Sequence, residues 1–299
     1  MAQETAKVEP YRVQSRFRLK YLTPYVLILP ALVFVALLGY AVIGAFWDSL
    51  HEYGIFQIVP KWVGIQNYAN LLDNPRFVNS FRISAIFWAG SVTLGIVISM
   101  SYALCLFKIV RARRFFRAVS LVPFLISGVA AGVSWRFLWN GELGLINNAM
   151  SSIGFSGLNW LGDATGALIV VILANVWFVA PFPTLLLLAG LQTIDTELFD
   201  VAAVDGASPW ATLRHIILPT IKPMVGVTLV WLTYASFSMF DIVLPLTAGG
   251  PGRSTELVAV FMYDLAFKQL AISDASAVLI LVLSVNVLLS AILVRAFRM

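Results

Sequence analysis

The run Leu191-Gln-Thr-Ile-Asp-Thr-Glu-Leu-Phe-Asp200-Val-Ala-Ala-Val-Asp205-Gly206-Ala207-Ser208-Pro-Trp-Ala-Thr-Leu213-Arg-His-Ile-Ile-Leu218-Pro219 decides how the rest of the chain is read. Asp195 or Thr196 can cap a first short helix, with Glu197 near its positive end. Leu198, Val201, Ala202 and Asp205 recur at helical spacing, and Gly206 ends or bends that helix. Trp210, Leu213, Ile216 and Ile217 open a second amphipathic helix that runs to Pro219. Two small helices at a right-angled turn make a compact protrusion with an apolar face, and such a face needs a partner.

The flanks of this protrusion are too apolar for a water-soluble domain. The 299 residues are 60% hydrophobic and 12% charged, where a soluble domain carries roughly 45–50% and about 25%. A soluble enzyme and a disordered chain are excluded on that ground. A membrane helix needs about 20 mostly apolar residues. Six segments satisfy this: 24–47, 78–107, 117–139, 166–191, 223–246 and 275–294. The first is too long for a signal-peptide core and reads as a mature span. Continuous apolar runs without alternation disfavour a β-barrel. The lone Cys105 lies in an apolar run, which excludes an intrachain disulfide and a cysteine metal cluster.

The basic residues give an orientation. Fourteen of the twenty Lys and Arg fall in the tail 1–23, the stretch 108–117, the loop 192–222 and the C-terminus. Six spans with both termini cytoplasmic satisfy that bias. The net charge of +5 thus reflects topology and contact with anionic membrane lipid, and no nucleic acid is expected. Trp47, Tyr53, Trp62, Tyr68, Trp139 and Trp160 fall near the expected interfaces and read as an aromatic belt.

With these residues in place, Asp200-Val-Ala-Ala-Val-Asp205-Gly206-Ala207-Ser208, followed by Leu213 and Leu218-Pro219, resembles the EAA loop of binding-protein-dependent ABC importer permeases. The usual pattern is Glu-Ala-Ala, two residues, then Asp-Gly-Ala. Ala202, Asp205, Gly206 and Ala207 match it, while Asp200 replaces the Glu and Val201 the first Ala. Asn147, Asn175-Val-Trp177, Asp241, Leu246-Thr-Ala-Gly-Gly-Pro251, Ala266-Phe267 and Ala275-Ser-Ala277 follow in family order. Together they resemble the sugar-type branch, the maltose and glycerol-phosphate F/A-type subunits.

That resemblance implies an all-α membrane protein with the six-helix, MetI-like fold of type I importers, in the bacterial inner membrane. Its parts would be a cytoplasmic tail 1–23, a first span with outer loop over 24–75, and a permease core over 76–297. Asp200, Ala202, Asp205, Gly206, Ala207 and Leu213 would couple the chain to an ATP-binding cassette ATPase dimer. ATP and Mg would sit on that partner, with no cofactor in this chain. A second six-span permease and a periplasmic or lipid-anchored solute-binding protein would complete the assembly. The solute would be a sugar or sugar-like: a saccharide, polyol, glycerol phosphate or derivatised sugar.

Each singled-out group has a plainer alternative. Asp200 and Asp205 could be paired carboxylates of an enzyme, but no His, Cys or Lys stands at catalytic spacing, so a helix-end and docking role is preferred. His51 and His215 are too few and too far apart in sequence for a closed metal site. No Gly-x-x-x-x-Gly-Lys-Ser/Thr run is present, so nucleotide belongs to another polypeptide. Gly249-Gly250-Pro251-Gly252 reads as a tight turn rather than a phosphate loop. Thr233 and Ser236 read as back-bonding or helix-packing groups. Asn175, Phe178 and Phe182, spaced +3 and +7 on one face, with Tyr234 and Ser238 from the next span, form the candidate solute path. A secondary carrier is the rival transport reading, with Asp241 as its lone ionisable candidate near a helix end. An integral-membrane enzyme is the other rival.

Overall fold

The computed structural model describes residues 17–53, 60–109, 113–154 and 159–297. Of the basic residues used for orientation, Lys7, Arg12, Arg16, Arg111 and Arg298 lie outside these. Two compact units divide at Trp47 and Asp48. The first is the greater part of α1 (Phe17–Ser49), whose Tyr25–Ser49 stretch of 25 residues is apolar and long enough to cross a bilayer.

In the second unit a small ribbon, β1 (His51–Glu52) antiparallel to β2 (Lys61–Trp62), precedes α2 (Gln66–Leu72). Asn67 Nδ2 ties it down, donating to the carbonyls of Ser49 at 2.9 Å and His51 at 3.0 Å. Then α3 (Pro75–Lys108) runs 34 residues without a break. Asn74 caps it, its Oδ1 accepting from Arg76 N at 2.9 Å, and Pro75 occupies the first turn, where no donor is lost. Its buried face carries Ser80, Ser84, Ser91, Gly95, Ser99 and Ala103, a stripe of small residues. In lipid no hydrophobic force drives helices together, so close approach over small residues does that work. Thus a methyl group on Gly95 would lie 3.1 Å from Leu232, and one on Gly90 would lie 2.9 Å from Ile172.

The remaining helices are short because they are bent. α4 (Arg113–Leu125) and α5 (Gly128–Leu138) meet at 92°. Pro123 and the extended Ser127 interrupt what reads as one span over 117–139. After α6 (Leu145–Ser152), α7 (Ala164–Val179) and α8 (Pro181–Leu191) bend by 49° at Ala180, where Pro181 lacks the donor that would continue the ladder. α9 (Thr196–Val204) and α10 (Pro209–Thr212) follow. A π turn (Leu213–Ile217) leads into α11 (Leu218–Thr220), and a 78° bend at Ile221 leads into α12 (Lys222–Ser238).

The expected fifth span, 223–246, is not one helix. α12 stops at Ser238, Met239 is extended, and α13 (Val243–Thr247) resumes after four residues. The interruption lays Ile242 and Pro245 against Gly132 of α5, where an added methyl would lie 2.5 Å from the Ile242 carbonyl. Tertiary contact therefore overrides the apolar run. α14 (Val258–Tyr263), a second π turn (Asp264–Lys268) and α15 (Ile272–Phe297) complete the chain. By length and composition, three helices cross a membrane unaided, and up to six spans result if each bent pair counts as one.

Three apolar clusters lie along α3. At its start Leu71, Phe77, Phe261 and Val278 join α2, α14 and α15. In its middle Phe87, Val170, Leu232, Ile242 and Leu246 gather α7, α12 and α13. At its end Ala103, Leu106, Leu187, Leu191, Ile194, Ile217 and Ile221 anchor the 192–222 loop. The loop is thus a rigid extension of the helix ends.

Candidate functional site

The loop begins at Asp195, whose carboxylate accepts from Glu197 N at 3.0 Å and so caps α9. At the other end of α9 the motif residues take up one recognisable geometry. Ala207 N donates to the Ala202 carbonyl at 2.9 Å, and Gly206 N donates to the Ala203 carbonyl at 3.2 Å. These are the two reverse bonds of a Schellman cap, which needs a left-handed residue between them. Gly206 supplies it, at φ +69°. Ala202, the one buried residue of α9, supplies the carbonyl that the Ala207 N–H reaches. Asp205 is the capping residue itself and, like Asp200, is exposed.

Ser208 then caps α10, its Oγ accepting from Ala211 N at 3.2 Å, so the second helix starts at Pro209 and extends to Thr220, one residue past the expected end. Leu213 is half-buried against the end cluster, and Phe199 meets Phe107 of α3 at 5.8 Å. Leu198, Val201 and Val204 point away, with Val204 88% exposed, while Trp210 stands exposed at the rim of the gap to α3. Between the loop and α3 a cavity of about 570 Å³ opens, lined chiefly by Leu104, Phe107, Phe199, Trp210, Leu213 and Ile217. The loop therefore shows an apolar, rigidly capped surface directed outward.

The candidate path residues are placed differently from one another. Asn175 is fully enclosed in the middle cluster, and both its amide atoms lack a partner among the described residues. Phe178 and Phe182 stay together across the Ala180 bend: Phe124 lies 6.4 Å from the first and 6.0 Å from the second, and Trp231 lies 4.9 Å from Phe182. Tyr234 (60% exposed) and Ser238 lie one turn apart on the open side of α12. Thr233 is a packing group, accepting from Trp88 Nε1 at 3.2 Å, and Ser236 donates to the Leu232 carbonyl at 2.8 Å. Asp241 sits in the α12–α13 break against Gly128 of α5, where even a methyl group would collide with its carboxylate.

At the opposite end of α3 an ionic knot fixes the 248–268 segment. Arg76 donates from Nε to Glu256 at 3.0 and 3.2 Å and lies 2.7 Å from Asp264, while Lys268 lies 2.9 Å from Asp264. Burial pushes the Asp264 carboxyl up, but donors on Lys268, Arg76 and Gln269 outweigh it and hold it at about 2. The adjoining Gly249-Gly250-Pro251-Gly252 is a tight turn, with Gly249 at φ +86° and Gly252 at φ +56°, held by Thr255 Oγ1 donating to the Gly250 carbonyl at 2.7 Å.

Residues 91–298 match the family described as binding-protein-dependent transport system inner membrane component. The chain belongs to that family. It is a transmembrane permease component of an importer in the inner membrane, a class whose members are not themselves enzymes. The permease is 36% identical over 244 residues to the trehalose/maltose transport system permease protein MalF of Thermococcus litoralis, covering 80% of this chain and 82% of that one. It is 34% identical over 263 residues to the sn-glycerol-3-phosphate transport system permease protein UgpA of Pectobacterium atrosepticum, covering 87% and 88%. Its fold superposes on a chain of a bacterial ABC transporter involved in import of the acidic polysaccharide alginate, with a TM-score of 0.79, 21% identity, and 96% and 98% of the two chains covered.

Two features of the permease escape a sequence reading. Arg76 and Glu256 are 180 positions apart, and no local pattern links them. Phe124 and Trp231 look like ordinary span residues until the bends at 126–127 and 180 bring them to Phe178 and Phe182.

Proposed function

We propose that the permease forms one half of the membrane path of an ATP-driven importer for a sugar or sugar-like solute. Six spans, counting each bent pair as one, leave both termini and the 192–222 loop in the cytoplasm. That loop docks on an ATPase dimer, which alone holds ATP and Mg, and this chain carries no cofactor. A second six-span permease closes the path, and a solute-binding protein, free or lipid-anchored, delivers the solute from outside.

The observation that carries this reading is the capped loop. Val201, Val204 and Trp210 offer an apolar face, and the end cluster ties that face to α3, α8 and α12. A push on the loop is thereby passed to the ends of the bent helices rather than absorbed locally. Asp200, Ala202, Asp205, Gly206, Ala207 and Leu213 hold the shape; Phe178, Phe182, Tyr234 and Ser238 line the path, and Asn175, enclosed here, joins it when the surrounding helices part. The named relatives handle trehalose or maltose and sn-glycerol 3-phosphate, which supports the sugar class.

The test is reconstitution. The complete complex in proteoliposomes should hydrolyse ATP faster when solute-loaded binding protein is added, and should accumulate labelled sugar. Val204→Asp, which places a charge on the exposed face without touching the cap, should abolish the stimulation while the permease still inserts and pairs. Undiminished stimulation in that variant would overturn the docking role.

A further inference from the structure

Four indoles form a connected line in the second unit. Trp160 meets Trp139 edge to face at 5.4 Å, Trp139 stacks with Trp135 at 6.3 Å and 15°, and Trp135 meets Trp177 at 5.8 Å. The first two stand where a sequence reading sees only an interfacial belt. Belt residues, however, need not touch one another, and their polar edges face water or headgroups. Here the Nε1 atoms of Trp139 and Trp160 are both buried, and neither has an acceptor among the described residues. A buried indole usually finds a partner for its single donor. Two neighbouring unpaired donors on a line of rings mark a place where an acceptor arrives from elsewhere.

The line has an entrance. Beside Trp160 lies a cavity of about 290 Å³, bounded by Asn159, Trp160, Asp163, Thr165, Gly166 and Ile169. Gly166 lets the Trp160 backbone come in; a methyl group there would lie 2.7 Å from the Trp160 carbonyl. On α7, Gly166, Ile169 and Trp177 fall at spacings of three and eight, one helical face. The entrance and the last indole are therefore on the same side of α7, about 16 Å apart at 1.5 Å per residue. Trp177 is 38% exposed and ends the line. The only charged group bounding the cavity is the carboxylate of Asp163, which also accepts from Gly166 N at 2.7 Å. Arg136 follows Trp135 in sequence and so points about 100° away around α5.

We propose that Trp160, Trp139, Trp135 and Trp177 are a stacking track for the ring of a neutral sugar, leading from the cavity beside Asn159 to the exposed Trp177. The chemistry fits both halves of such a ligand. One face of a pyranose is a patch of C–H bonds, slightly positive, which matches the negative face of an indole. Its rim is hydroxyls, which accept from the idle N–H groups of Trp139 and Trp160. A row of similar shallow sites favours movement, because the ring exchanges one stack for the next without full rehydration. A carboxylate at the entrance, with no cation among the described residues that bound it, disfavours an anionic ligand. The track rests on the sugar reading above and adds to it the neutral, ring-closed class and the outer route.

The experiment uses the complete reconstituted complex and labelled glucose, xylose, maltose and trehalose as probes. Trp160→Leu and Trp139→Leu should each lower uptake about tenfold, equivalent to about 1.4 kcal/mol, with complex yield and basal ATP hydrolysis unchanged. Trp160→Phe and Trp139→Phe, which keep a ring and lose the donor, should recover only part of that uptake. Full uptake in both leucine variants overturns the track while leaving the sugar reading intact. Uptake that falls only in step with complex yield also overturns it, in favour of a surface covered by the second permease. Wild-type complex that accumulates none of the four probes but accumulates labelled glycerol 3-phosphate overturns the track while leaving the sugar-like reading intact.

Discussion

Gly206 is the residue on which the loop turns. Nothing lies within 4 Å of where its side chain would be, so bulk is tolerated there and the cost of substitution is purely conformational. An L-residue held in the left-handed region costs roughly 1–2 kcal/mol. Gly206→Ala should therefore weaken stimulation of ATP hydrolysis by loaded binding protein, and Gly206→Val should remove it, while both variants insert and pair normally. Normal transport by Gly206→Val would show that the cap is dispensable. Asn175 poses the opposite problem, being fully enclosed with an unpaired amide. An unpartnered buried amide costs on the order of 1–3 kcal/mol. If its partner is the solute, Asn175→Leu should lower uptake and leave complex yield unchanged or higher. If it ties helices together, yield should fall first. Measuring uptake and yield on the same preparation separates the two.

Among the elements, α3 is held at its start by the Arg76–Glu256–Asp264 knot. Glu256 is 5% exposed, so Arg76→Ala would leave a buried carboxylate with only the more distant Arg253, 4.0 Å away, at a cost on the order of 3 kcal/mol. The melting temperature of the purified complex should drop clearly, and Arg76→Ala combined with Glu256→Gln should recover part of the loss. The same knot sets a pH expectation. Asp264 is held at about 2 against an ordinary 3.8, so the unfolded chain takes up its proton first. Its contribution is complete above about pH 4 and is lost between there and about 2. From pH 5 to 8 the melting gap between wild type and Asp264→Asn should be constant, and a gap that closes within that window would contradict this ionisation.

Legibility in the sequence follows the range of the interaction. The loop is readable because caps and glycine turns are local: Asp195, Gly206 and Ala207 act on neighbours within five residues. The long helices α3 and α15 are readable because apolar runs are local too. The bends are partly so, since Pro123 and Pro181 flag two of them. The break after Ser238 carries no such mark and comes from the packing of Ile242 and Pro245 on Gly132. The sequence reading places Asn175, Phe178 and Phe182 on one face. The structure encloses Asn175 and sets the two rings against Phe124.

For the whole molecule, the bent helices leave large apolar side chains exposed on several sides, among them Val129, Phe137 and Trp177 on α5 and α7. Such exposed apolar surface fits the pairing with a second permease proposed above. Tagged copies of this chain should pull down one unlike permease in 1:1 ratio with two ATPase subunits. A functional complex holding two copies of this chain and no other permease would refute that arrangement.

The separation of Arg76 from Glu256 by 180 residues also sets a schedule for biogenesis. At roughly 5–20 residues per second of synthesis, the guanidinium reaches the membrane boundary about 10–35 seconds before its counter-charge is made. Throughout that interval the start of α3 carries an unneutralised cation. A chain cut short anywhere before residue 256 never neutralises it. A fragment that ends before residue 256 thus lacks the tie that fixes the start of α3 against the 248–268 segment.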